Sequence, residues 1–232
     1  MKRMKKRMSR CRGVGLALAF TLLACAGAQA RQDSQFAQAQ RENAKGLRQY
    51  TWKSRTEVRK GGESKSTQLH LVRYDADGNV QQTLVSNTSQ QIPTRGLRGF
   101  IAKKKKDDFV ELLDELKAVA KSYGALPPEK MQRFMAGATV SPEQQGRWSL
   151  VRLQGRDVLQ PGDSMTVWLD AATRRQRKVE VQTTLKGKPV RIVSEFRDLD
   201  EGPTYLARSA VDYLSRELSV VTENFDHERA RP

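Results

Sequence analysis

Residues 176–186 read QRKVEVQTTLK. Arg177, Val179, Val181, Thr183 and Leu185 alternate there with Lys178, Glu180, Gln182 and Thr184. A period of two is strand spacing, with one face toward a core and the other toward water. The pattern repeats in both directions. It predicts strands at 147–154 and 164–170 upstream, and at 189–198, 204–213 and 217–225 downstream. Turn residues separate them: Pro161-Gly162, Asp170 to Arg174, Gly187, Glu201-Gly202-Pro203 and Ser215-Arg216.

Nearer the N-terminus, Tyr50, Trp52, Ser54, Thr56 and Val58 alternate with Thr51, Lys53, Arg55 and Glu57. Gly61-Gly62 marks a turn, and a second strand spans 65–74. Asp77-Gly78 is a hairpin signal, because a type I′ turn needs φ > 0 at both central residues. Val80 to Val85 is the third strand. About nine short strands imply a mainly β fold (α+β) with one large antiparallel sheet, curved or closed.

Two helical regions interrupt this pattern. Residues 32–48 are polar and helix-favouring, with a thin stripe of Phe36, Ala37, Ala44 and Leu47. After an irregular stretch at 87–105, a helix is expected to start at Asp107-Asp108, whose carboxylates suit its positive end. Phe109, Leu112, Leu113, Leu116, Val119, Ala120 and Tyr123 fall on one side, and Gly124 closes it. Pro127-Pro128 opens a shorter helix through Phe134. The helical insert is therefore 106–136, within one domain spanning 31–225. Asp226 to Pro232 is a charged, loose tail.

The chain of 232 residues carries 42 Lys and Arg against 26 Asp and Glu, a formal charge of +16. Seven of those cations and no acid lie in residues 1–30, leaving 35 against 26, or +9, on the remainder. DNA binding thereby loses most of its compositional support. Met1 to Arg12 is a basic leader, Gly13 to Ala26 an apolar run too short to span a membrane, and Ala28-Gln29-Ala30 an A-x-A cleavage site. Residues 1–30 read as a secretory signal peptide, so the expected location is the periplasm. Leu22-Leu23-Ala24-Cys25 also resembles a lipobox, which would instead anchor an outer-membrane lipoprotein through Cys25.

The chemistry-bearing residues are sparse. The two cysteines, Cys11 and Cys25, both lie in the leader. Asp75-Ala76-Asp77-Gly78 lacks the further ligands of a calcium loop. Ser164 lacks the second glycine of a nucleophile elbow, and His70 and His227 lie mid-strand and in the tail. No P-loop, GxGxxG or HExxH occurs. Carboxylates such as Glu180, Glu195 and Asp198 fit strand surfaces. We expect a non-enzyme with no metal and no cofactor. Lys103, Lys104, Lys105 and Lys106 either contact an anionic membrane surface or form a solvated loop.

Four segments carry a family resemblance: Tyr50-Thr51-Trp52; Tyr74-Asp75-Ala76-Asp77-Gly78-Asn79-Val80; Val167-Trp168-Leu169-Asp170; and Arg177-Lys178-Val179-Glu180. Together with the leader and polar first helix, the chain resembles, in outline over 32–225, the Lol-type outer-membrane lipoprotein carriers and receptors and related envelope-stress sensors. The lysine run and the 106–136 insert stand outside that pattern. The resemblance implies an incomplete antiparallel barrel, a half-barrel capped by helices, with an apolar cavity for acyl chains.

Candidate cavity residues are Trp52, Phe109, Leu112, Leu116, Trp148, Trp168, Val179, Val181, Ile192 and Phe196. The three tryptophans either line that cavity or fill a core. Inward positions also include Ser54, Thr56, Thr183, Ser194, Ala207 and Ser209, whose small side chains leave room. The expected protein is a monomer that binds a lipid or an acylated protein and no nucleic acid. The alternative is a structural or sensory envelope module with a filled core, which binds another protein through its surface. Intact-mass analysis of protein from its native envelope is expected to find Arg31 as the first residue. A diacylated Cys25 start would place the chain on a membrane leaflet instead.

Overall fold

The computed structural model describes residues 38–89, 96–200 and 202–230. The leader, Cys25 and both processing sites lie outside that range. Helix α1 covers 38–47. Three strands follow: β1 (Tyr50–Lys60), β2 (Glu63–Tyr74) and β3 (Val80–Ser89). Helices α2 (Gly96–Gly124) and α3 (Pro128–Gly137) come next. Seven more strands complete the chain: β4 (Thr139–Gln145), β5 (Trp148–Arg156), β6 (Ser164–Asp170), β7 (Gln176–Leu185), β8 (Lys188–Asp198), β9 (Thr204–Tyr213) and β10 (Leu218–Arg229). The ten strands form one open antiparallel sheet in the order β3-β2-β1-β10-β9-β8-β7-β6-β5-β4. It is a curved half-barrel with helices against it, as expected, and not a closed barrel.

Register explains the core. Met165, Val181, Ile192, Val211, Val220 and Val58 stand opposite one another across β6, β7, β8, β9, β10 and β1. This apolar row crosses six strands, and each of its members is less than 9% exposed. Leu112, Leu116 and Tyr123 of α2 and Phe134 of α3 join the same cluster. Each Val or Leu so buried contributes about 1.5–3 kcal/mol. The opposite face is charged. Lys178, Glu195, Arg208, Glu223 and Arg55 stand in one cross-strand line. Arg55 and Arg208 both reach Glu223, and Arg191 and Lys178 both reach Glu180. Exposed pairs of this kind contribute at most about 1 kcal/mol each, so they mark the wet face rather than hold the fold.

The structure corrects several expectations. A tenth strand, β4, was not foreseen because Pro142, Glu143 and Gln144 read as loop; it is an edge strand, where a proline costs no ladder bond. Helix α2 starts at Gly96, not at Asp107, so Lys103 to Lys106 belong to a helix rather than a loop; their side chains lie outside the description. β10 continues to Arg229, beyond the expected start of the loose tail, because Thr51 pairs with Glu228 and Lys53 bonds Asp226 at 3.0 Å. The β2–β3 turn is not type I′, since Gly78 has φ +83° but Asp77 is not in the positive region. Asp75 organises it instead: its main chain pairs with Asn79, and its carboxylate accepts the Asn79 N–H at 2.8 Å.

Close packing fixes α3. A Cβ built on Gly155 of β5 would lie 2.8 Å from the Phe134 ring, whereas one on Gly124 meets nothing within 4 Å. Gly155→Ala is therefore expected to lose about 1–3 kcal/mol in urea unfolding. Gly124→Ala, the control, should change stability much less.

Candidate functional site

Helix α2 covers the inner face, and among its described residues the buried side-chain hydrogen bonds to the rest of the fold are those of Tyr123, near its C-terminal end. The buried Tyr123 hydroxyl donates to Asp163 Oδ2 at 2.5 Å and lies 2.9 Å from Thr183 Oγ1. Asp163 is 2% exposed. It accepts the main-chain N–H groups of Val158, Leu159 and Gln160 at 2.6, 2.9 and 3.0 Å. Gln160 Nε2 donates to the same Thr183 hydroxyl. Burial pushes the Asp163 carboxyl up, but the Tyr123 and main-chain hydrogen bonds outweigh it and hold it below the usual carboxylate range. Burial and the facing carboxylate push the Tyr123 phenol well above its ordinary value. At neutral pH the pair is therefore a phenol donor and a carboxylate acceptor.

Toward its N-terminus, α2 lies on the sheet through apolar contacts. Leu112 and Leu116 are 6% and 0% exposed, and Phe109 and Leu113 pack at their margin. Glu115 adds a half-exposed ion pair with Lys186 at 2.7 Å. The Lys60 ammonium sits 6.0 Å from the Phe109 ring.

Beside the apolar row runs a second line of opposed residues, Val167, Val179, Ser194, Ser209, Thr222 and Thr56. It is apolar on β6 and β7, then turns to hydroxyls. Ser194 and Ser209 face each other at 3.3 Å, and Thr56 and Thr222 at 3.1 Å. The hydroxyls satisfy one another across the strands and leave little side-chain volume. Farther along β1, about 20 Å from Val58 at strand rise, lies an aromatic cluster. Trp52 stacks on His227 at 5.7 Å and 12°, meets Tyr74 at 5.7 Å, and His227 lies 4.0 Å from Tyr205. Burial lowers the His227 pKa against the opposing effect of Asp226.

The candidate residues thus divide. Leu112, Leu116, Val181 and Ile192 lie in the core cluster, with Phe109 and Val179 at its margin. Trp52 belongs to the aromatic cluster, and Phe196 is half-buried elsewhere on β8. Two tryptophans stand apart. Trp168 lies on the charged face, donating to Glu143 at 2.9 Å under the Lys178 ammonium. Trp148 is 39% exposed and flanked by Arg177 and Arg147. Arg177 also bridges Asp198 and Asp170, tying the ends of β6, β7 and β8. One hollow is a shallow groove of about 610 Å³ along the acidic side of α2, and another, of about 100 Å³, lies between α3 and the end of β5. None of the ten cavity candidates lines either of them. Among the described residues no helix is long and apolar enough to cross a membrane. His70 on β2 and Ser164 on β6 are six strand spacings apart in the sheet.

Sequence reasoning missed Asp163 and the aromatic partners of Trp52. The Asp163 signal was an aspartate directly after Pro161-Gly162, a residue type that accepts main-chain N–H groups in turns. His227 was hidden by its charged neighbours.

No family model matches the chain, and no curated protein matches it. Among solved structures it is similar to a Vibrio parahaemolyticus domain described as an outer-membrane lipoprotein-sorting protein, with TM-score 0.44, 12% identity, and coverage of 84% of this chain and 91% of that one. It is also similar to a LolA superfamily protein from Nitrosomonas europaea, with TM-score 0.33, 13% identity and coverage of 82% and 92%. A third is a DUF1329 family protein from Desulfovibrio piger, with TM-score 0.39, 9% identity and coverage of 84% and 92%.

Because the folded Asp163 pKa is depressed, its stabilising contribution is present above about pH 4 and lost as pH falls through the folded value. Asp163→Asn should cost about 1.5–3 kcal/mol at pH 6. The gap to wild type should narrow on acidification, as urea unfolding at pH 6 and at about pH 3 would measure.

Proposed function

We propose that this chain is a non-catalytic envelope protein that holds the acyl chain of a lipid or lipoprotein between α2 and the inner face of the sheet. The observation that carries this reading is the six-strand apolar row, covered by a helix whose hydrogen-bonded anchor sits at one end. With Tyr123 as pivot, the described stretch of α2 from Asp107 to Leu116 can lift without breaking a buried hydrogen bond to the sheet, giving up only the partly exposed Glu115–Lys186 ion pair. The row beneath then accepts a linear apolar ligand. Its hydroxyl-bearing neighbours suit the more polar end.

Magnitudes set the kind of ligand. Lifting Phe109, Leu112 and Leu116 off the row costs roughly 5–9 kcal/mol, at about 1.5–3 kcal/mol for each side chain. Each acyl methylene returns about 0.8 kcal/mol. A chain of about eight carbons falls short or barely breaks even, and one of sixteen has a clear surplus. The protein works as a monomer in the periplasm after removal of residues 1–30, or on the outer membrane if Cys25 is lipidated. The lysine run at 103–106 meets anionic lipid.

One observation favours the second reading, an envelope module that binds a protein partner through its surface. Leu112 and Leu116 already fill the space over the row. A chain-length series separates the two. Delipidated protein should show a rise in melting temperature with hexadecanoate and none with octanoate, and Phe109→Ala should alter the hexadecanoate response more than the ligand-free melting point. If no chain length moves the midpoint and no lipid copurifies from the envelope, the acyl reading fails.

A further inference from the structure

We propose that the hollow between α3 and the end of β5 is an anion site for a phosphate group. It encloses about 100 Å³, room for a tetrahedral oxyanion. Its floor is apolar and buried: Phe134 and Val158 are each 5% exposed. Its rim carries three cations, Lys130 and Arg133 from α3 and Arg156 from the last position of β5. One carboxylate, Asp157, lines the same hollow and already accepts the Gly162 N–H at 2.7 Å.

The electrostatics are unbalanced. Three cations meet a single carboxylate around this hollow. Among the described residues, none of the three rim cations makes an ion pair. Arg133 Nε makes a long contact, 3.4 Å, with its own helix at Glu129 O. Three like charges around one hollow repel, and an oxyanion between them converts that repulsion into charge-assisted hydrogen bonds. Two guanidinium groups offer the planar donor forks that suit phosphate oxygens. Gly137 leaves open space at the rim, where an added Cβ meets nothing within 4 Å.

The site is separate from the row under α2 and stands whether or not that row takes an acyl chain. The same chemistry belongs to free phosphate and to a phospholipid head group. The test uses the processed protein at matched ionic strength in chloride, in inorganic phosphate, and with soluble dihexanoyl phosphatidic acid. Its six-carbon chains are too short to open the lid.

Phosphate at ten times its Kd should raise the melting temperature by about 3–6 °C over chloride. The double variant Arg133→Gln, Arg156→Gln should abolish that rise. Both side chains are exposed, so its melting point in chloride should match wild type or exceed it as repulsion is relieved. A second variant, Lys130→Gln, should weaken the response in part. Tenfold tighter binding of the phosphatidic acid would identify a lipid head group, and equal or weaker binding would identify free phosphate. Equal melting points in phosphate and chloride, or a double variant that responds like wild type, would overturn the assignment.

Discussion

A sheet of ten strands that does not close has an inner face that something must cover. Six apolar side chains in register, from Met165 to Val58, form its middle, and α2 with α3 keeps water from it. The other features follow from that need. The outer face can be charged because it is not covered, and the opposed Arg and Glu lines of β7 to β10 and β1 occupy it. The helices must sit at a definite depth, so Gly155 gives way to Phe134. The long helix must not slide, so Tyr123 is fixed to Asp163, which is itself fixed by three main-chain donors.

The cover is uneven in kind. Its C-terminal end is directional, built from buried hydrogen bonds whose loss leaves an unsatisfied charge. Before that end, the described residues Phe109, Leu112, Leu113 and Leu116 make mainly non-directional contacts. Apolar contact tolerates replacement of one hydrocarbon by another, whereas the Asp163 arrangement tolerates little. This asymmetry leaves the described part of the helix with one directional anchor, at Tyr123. The hydroxyl line beside the apolar row shows a similar division across the sheet.

The alternation that sequence carries was most readable where one face is wet. In β7, Val179 and Val181 against Lys178, Glu180 and Gln182 announced both strand and orientation. The inward small residues Ser54, Thr56, Thr183, Ser194 and Ser209 followed from the same parity. The reading failed where local chemistry and tertiary context disagree. Pro142 and Glu143 suit a loop unless the strand is known to be an edge. Asp226 to Arg229 look solvated until β1 is placed beside them. The lysines at 103–106 closed a stretch that read as irregular, whereas α2 runs through them. Tyr123 and Asp163 are forty positions apart, and nothing local links a helical tyrosine to a turn aspartate. Trp148 and Trp168 sit among cations, Trp148 beside Arg177 and Trp168 under Lys178, which their place in predicted strands did not indicate.

The strand order has a consequence for how the molecule comes into being. The first strand of the chain pairs with the last: Tyr50 stands opposite Arg229, and Lys60 opposite Leu218. This seam lies inside the sheet, joining the β1–β3 hairpins to the other seven strands. A growing or translocating chain can form those hairpins early but has nowhere to dock them until its final segment emerges. At ordinary synthesis rates that interval is on the order of ten seconds. Throughout it, one side of β1 is unpaired, and Val58 and Val72 lack the cover they have when folding is complete. Contacts of such long sequence separation form slowly. Completion of the sheet thus waits for β10, and a chain cut short before that strand is left as two unjoined pieces.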